Sequence, residues 1–160
     1  MRRILVTGMS GTGKSTALRE LARRGFAAVD TDEPGWTEWS EEDGGRLWRE
    51  DAIAELLSRG GPEPALFLSG TVSNQGRFYA RLDAVVLLAA PAEVLLERLA
   101  TRTTNDWGKA PDERELVLRQ LAEVEPLLRA GCTHELDAAA PLEHVVRRLA
   151  EIGLGRPAAG

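Results

Sequence analysis

The chain has 160 residues, with 25 acidic and 20 basic side chains and a net charge of −5, which suits one domain with its own core and speaks against a general polyanion-binding surface. One cysteine and two histidines exclude an internal disulfide and a Cys/His zinc site. No apolar run approaches the roughly 18 residues that cross a bilayer, and the short apolar stretch after Arg2-Arg3 is no signal peptide, so a soluble, cytoplasmic chain is expected.

Short apolar runs alternate with amphipathic stretches, the pattern of a parallel sheet covered by helices. Residues 4–6 read as a buried first strand, closed by a glycine-rich run over 8–13. A helix over 15–24 stops at Gly25, and 26–29 form a second strand ending at Asp30. Residues 31–45, with Pro34, Gly35, Gly44 and Gly45, read as irregular, and 46–59 as the next helix. A third strand over 65–68 runs into Ser69-Gly70, followed by a short helix near 74–80 and a fourth strand over 84–88.

Pro91 launches a helix over 92–100, and 101–111 are polar and loop-like. A long helical pattern covers 112–129, with Pro126 bending or breaking its last turns. A fifth strand over 133–136 and a closing helix over 142–152 complete a single domain over 1–152. Residues 153–160 are expected to form a flexible tail.

The run Gly8-Met9-Ser10-Gly11-Thr12-Gly13-Lys14-Ser15 fits G-x-x-x-x-G-K-[ST] without a mismatch, between a strand and a helix. Its glycines let backbone N–H groups turn toward phosphate oxygens, and the helix N-terminus adds its positive dipole end. The expected phosphate-binding set is Gly8, Met9, Ser10, Gly11, Thr12, Gly13, Lys14, Ser15 and Thr16. Lys14 reaches the β and γ phosphates of ATP in this reading, and the Ser15 hydroxyl is a Mg²⁺ ligand.

Among the twenty cations only Lys14 and Lys109 are lysines. A guanine-recognition N-K-x-D motif is therefore impossible, because Gly108 precedes Lys109, and switch GTPases are excluded. The third and fourth strands end without the acid that motor and transporter ATPases carry there. Asp83 stands at the strand start, away from the phosphates. The carboxylates at the correct edge are Asp30 and Asp32.

Asp30-Thr31-Asp32 resembles the D-[ST]-D of shikimate kinases, and Leu66-Phe67-Leu68-Ser69-Gly70 resembles their third strand and glycine turn. Residues 85–98, Glu125-Pro126-Leu127-Leu128 and His134-Glu135-Leu136-Asp137 are similar to later segments of the same family. Most of the chain thus resembles the small P-loop kinases that include shikimate, gluconate and nucleoside monophosphate kinases. The resemblance implies a three-layer α/β/α P-loop NTPase fold with five parallel strands in the order 2-3-1-4-5.

It also implies roles. Asp30 would hold the Mg²⁺ shell and Asp32 would bind or deprotonate the acceptor hydroxyl. Residues 101–111 would form a lid, with Arg98 and Arg102 on the transferred phosphates. Lys109 in that lid is read as a point-charge contact, and 137–141 would lie against adenine.

The family pattern breaks in two places. Shikimate kinases carry an arginine two residues before the Pro-Leu pair, where Val124 stands here, and their triple glycine is Gly70-Thr71-Val72. An aliphatic side chain cannot pair with a carboxylate, so shikimate itself is not the expected acceptor. Trp36, Trp39 and Trp48 occupy the family's acceptor segment, as a pocket lining or as a cover on the sheet. Candidate acceptor contacts are Asp32, Trp36, Trp39, Arg49, Gly70 and Asn74, with Gln75 as a further donor.

Three readings follow. The first is an ATP- and Mg²⁺-dependent kinase of a small molecule, monomeric or weakly dimeric, binding neither nucleic acid nor membrane. The second is a nucleoside monophosphate kinase with Arg46, Arg49 and Arg77 on the acceptor phosphate. The third is an ATP-binding regulatory protein whose tryptophans face a protein partner.

Overall fold

The computed structural model describes residues 1–157. The expected tail lies partly beyond them, and Gly153 itself closes the last helix. There is no room at Gly153 for a side chain, since a Cβ would stand 2.7 Å from the Phe67 ring.

Five strands form a parallel sheet: β1 (Arg2–Thr7), β2 (Ala27–Asp30), β5 (Ala65–Ser69), β6 (Ala84–Ala89) and β7 (His134–Asp137). Their spatial order is β2-β5-β1-β6-β7, the 2-3-1-4-5 arrangement expected from the resemblance. A separate antiparallel pair is made by β3 (Thr37–Ser40) and β4 (Gly45–Trp48).

Alternation along the central strands builds the layers. Ile4, Val6, Ala65 and Phe67 face one cluster, with Ala17, Leu18 and Leu21 of α1 (Lys14–Arg23) and Val145, Val146 and Leu149 of α6 (Leu142–Gly153). Leu5, Leu66 and Leu68 face the other, against Ile53, Leu56 and Leu57 of α2 (Glu50–Ser58). Successive side chains of a strand point to opposite faces, so strands buried on both sides read as unbroken apolar runs.

One expectation needs correction. The helix expected from residue 46 begins at Glu50, because 45–48 pair with 37–40. The turn between them is held by Ser40 and Asp43, whose side chains share a 2.7 Å hydrogen bond, and Gly44 takes a left-handed φ of 63°. Glu50 and Asp51 then supply the acidic first turn that suits a helix start.

The helical pattern over 112–129 is broken near Pro126, as expected, into α4 (Pro111–Glu123) and α5 (Glu125–Gly131), with Val124 between them. Pro126 lacks the N–H that would continue the ladder. Between β5 and β6 the short helix is a 3₁₀ turn over Gln75–Arg81. The remaining helix, α3 (Ala92–Thr101), follows β6, and the connection from α3 to α4 spans residues 102–110.

Candidate active site

The glycine-rich loop leaves β1 at Thr7 and enters α1 at Lys14, at the C-terminal edge of the sheet, where open α/β folds bind ligands. Gly8 passes so close to β6 that a Cβ would lie 2.5 Å from the Leu88 carbonyl oxygen. Gly13 caps α1 with φ 89°, a left-handed conformation glycine adopts freely. The first turn of α1 carries no acid to compete with a bound anion.

Lys14 folds back over the loop, donating to the carbonyls of Gly8 at 2.6 Å and Met9 at 3.2 Å. The Gly8 carbonyl also accepts the Thr71 hydroxyl at 2.6 Å. Burial lowers the Lys14 pKa to about 8, against the opposing pull of Asp32 and then Asp30. Asp32 moves the other way: desolvation raises its pKa, Lys14 opposes the rise and Asp30 adds to it.

Asp30 and Ser15 meet across the loop, with the Ser15 hydroxyl donating to Asp30 Oδ2 at 2.5 Å. The other Asp30 oxygen accepts from the Asp32 backbone N–H at 3.0 Å and from the Ser69 hydroxyl at 3.3 Å. Such hard oxygen donors suit Mg²⁺, which keeps several waters and takes one or two protein ligands beside substrate phosphates. The described residues contain no cluster of three or more His, Cys, Asp or Glu side chains able to hold a metal alone, so Mg²⁺ would need those waters and phosphates.

Two clefts meet at this point. One, of about 640 Å³, runs between the loop and residues 101–107 and includes Ser15, Thr16, Arg19, Arg98, Arg102 and Trp107. The second, of about 550 Å³, lies toward the 3₁₀ turn and α5. Ser10, Lys14 and Asp32 border both. A smaller hollow of about 230 Å³ adjoins the first cleft, between Thr12, Gly13 and Ala138, Ala140 and Leu142. It lies in the segment expected to face adenine.

Among the described residues the arginines of the first cleft make no ion pair, whereas many surface arginines do, such as Arg24 with Glu143 and Arg59 with Glu55. Arg98 donates to the Gly11 carbonyl at 3.3 Å. Arg102 stands just beyond the last residue of α3 and grips the following loop, donating to the carbonyls of Asn105 at 3.0 Å and Trp107 at 2.7 Å. Arg19, one helical turn after Ser15 on α1, also lines this cleft; the motif does not include it, but its spacing on the expected helix was a signal that could have found it. Lys109 pairs with Asp106 at 3.0 Å and borders neither cleft, so the reading that set it on a ligand finds no support in its position.

Of the expected acceptor contacts, Asp32 and Gln75 line the second cleft. Asn74 is buried and spent on Trp48, accepting from its N–H and donating to its carbonyl, both at 3.0 Å. Gly70 gives room to Thr31 and Trp48, since a Cβ there would lie 2.5 Å from Thr31 Oγ1. Arg49 turns away toward the Gly35 carbonyl and Asp51.

Trp36 packs on the sheet cluster beside a hollow behind α1, and Trp39 is 58% exposed. Trp48 is buried core, its indole N–H donating to Thr31 Oγ1 at 2.9 Å. The tryptophans therefore split into cover and surface and do not form a joint pocket. Arg77 pairs with Glu50 at 2.9 Å, so of the three arginines that a monophosphate acceptor would need only Arg46 reaches the cleft.

A sequence-family profile described as an AAA domain matches residues 4–119. The chain belongs to this family. The match runs from β1 through most of α4 and so contains the whole phosphate loop and both aspartates. No curated protein matches the chain in sequence.

Among solved structures, shikimate kinase from Acinetobacter baumannii in complex with shikimate is similar at TM-score 0.67 and 20% identity, over 97% of this chain and 94% of that one. A gluconokinase from Sinorhizobium meliloti 1021 is similar at TM-score 0.61 and 25% identity, over 96% and 91%. A sugar kinase from Janibacter sp. HTCC2649 follows at TM-score 0.57 and 22% identity, over 97% and 95%. The expected likeness to small P-loop kinases thus extends over almost the whole of this AAA-family chain.

Proposed function

We propose that the protein is an ATP- and Mg²⁺-dependent kinase that transfers the γ-phosphoryl group of ATP to a hydroxyl of a small molecule other than shikimate. One observation carries this reading: Lys14 and Asp32 stand where the two clefts meet, one cleft for the phosphate donor and one for its acceptor.

Asp32 accepts the proton of the acceptor hydroxyl, and its raised pKa brings it nearer the working range of a general base. The acceptor oxygen forms a bond to the γ phosphorus as the bond to the β,γ-bridging oxygen breaks, and ADP leaves with that electron pair. Lys14, Arg98 and Arg102 stabilise the charge on the phosphoryl oxygens, with Arg19 nearby on α1. Ser15, with Asp30 behind it, would hold Mg²⁺, which when bound would supply charge neutralisation on the phosphates. Residues 101–111 serve as the lid that excludes water from the donor cleft.

The test is to incubate the pure protein with ATP, Mg²⁺ and a metabolite library and to search for new phosphorylated masses. A product that disappears with Lys14→Ala is expected. ATP binding without transfer to any nucleoside, sugar, polyol or antibiotic acceptor would overturn the reading.

A further inference from the structure

The acceptor cleft has a polar end and an apolar wall. The end shared with the donor cleft carries Lys14 and Asp32; away from it lie Val124, Leu127 and Leu128, from the break between α4 and α5. Leu127 is 72% exposed, an unusual position for a leucine unless something covers it.

Part of the polar lining is already used within the protein, while Ser10, Ser73 and Gln120 also border the cleft. The Gln75 amide nitrogen donates to Thr7 Oγ1 at 3.2 Å and to the Tyr79 hydroxyl at 2.9 Å, and its oxygen accepts from Val72 N–H at 3.0 Å. Thr71 gives its hydroxyl proton to Gly8. Arg46 is the one cation of this cleft besides Lys14, and it is exposed and bonded to Thr37 Oγ1 at 3.2 Å.

A sugar acid or polyol has hydroxyls on every side. In this cleft several of them would face aliphatic carbon and lose their bonds to water without replacement.

Resting on the kinase reading above, we propose that the acceptor is an amphiphilic alcohol, presenting one hydroxyl to Asp32 and an apolar face to Val124, Leu127 and Leu128. It carries neither a phosphate nor a cluster of hydroxyls on that face. Leu127 and Val124 are then specificity-determining residues.

The experiment compares phosphoryl transfer from ATP to two probe sets. One holds alkyl and aryl alcohols and amino alcohols with aryl groups; the other holds glycerol, inositol, gluconate, shikimate, nucleosides and nucleoside monophosphates. The first set is expected to yield the higher kcat/KM. For its best member Leu127→Asn raises KM roughly tenfold, the usual effect of losing one apolar contact in a pocket, while Leu127→Met restores it.

Preference for the second set, or a KM unmoved by Leu127→Asn, would overturn the amphiphile proposal and leave the kinase reading standing. Absence of transfer to either set, with ATP bound, would remove the kinase reading and this proposal with it.

Discussion

Ser15 donates its hydroxyl to Asp30 at 2.5 Å and thereby ties the first turn of α1 to the end of β2. In the proposed kinase this contact orients the Mg²⁺ ligand. Ser15→Ala and Asp30→Asn should each raise the Mg²⁺ concentration for half-maximal activity by roughly tenfold to a hundredfold, the usual effect of removing a supporting metal contact. A Mg²⁺ titration at saturating ATP checks this, and unchanged curves would contradict the assignment.

The pH profile should reflect Asp32 and Lys14. The acid limb of kcat/KM is expected above the ordinary carboxylate range, because burial raises the Asp32 pKa. Asp32→Asn should lower kcat by about 10²–10⁴ and abolish that limb. On the alkaline side, free Lys14 loses its proton near its pKa of about 8, so ATP affinity should decline above that pH.

Lys14 also makes a stability prediction. Its folded pKa of about 8 lies below the ordinary 10.5, so between these values the unfolded chain binds more protons than the native one. Stability from this group is then fully present above the unfolded pKa and is lost as pH falls through the folded value. At neutral pH, without nucleotide, Lys14→Met should therefore be inactive yet melt a few degrees higher, on the order of the shifts seen when a buried charge is removed. Calorimetry from pH 7 to 10 on both proteins would show the gap closing as pH rises, with pH values chosen around the two pKa values.

Arg102 holds the loop after α3 through two carbonyls. Arg102→Ala should raise the KM for ATP and lower kcat, each on the order of tenfold, about one charge-assisted hydrogen bond. Hydrogen exchange over 103–109 should accelerate in the same variant. If exchange is unchanged while activity falls, Arg102 acts on the phosphates alone.

Two tryptophans should respond in opposite ways. Trp48 is 1% exposed and packs edge-on against Phe78, with ring centroids 5.8 Å apart. Trp48→Ala should cost about 3–5 kcal/mol, whereas Trp39→Ala, on the hairpin surface, should change stability by less than about 0.5 kcal/mol. Urea titrations of the two variants separate these outcomes.

The parallel sheet was legible because its central strands are buried on both faces, so Ile4-Leu5-Val6 and Ala65 to Leu68 stand out as continuous apolar runs. The phosphate loop was legible because its chemistry depends on contiguous residues. The β3–β4 hairpin was not, since its strands are short, with Glu38 and Trp39 exposed, and show no buried alternation.

The lining of the acceptor cleft was hidden for a different reason. Thr71 and Tyr79 come from one stretch and Gln120, Val124 and Leu127 from another about forty residues on, and only the fold brings the two together. The resemblance, which sets its acceptor segment at these tryptophans, pointed to Trp36 and Trp39 instead. Asn74 shows that a polar side chain near a site is often spent on a backbone, here that of Trp48.

The Gly8 carbonyl oxygen accepts hydrogen bonds from both Lys14 and Thr71. The resting loop is thus self-liganded: its lysine is parked on the backbone of the loop that cradles the phosphates. In the proposed kinase, a nucleotide would draw Lys14 into an exchange of partners, with the Thr71 hydroxyl still donating to the Gly8 carbonyl.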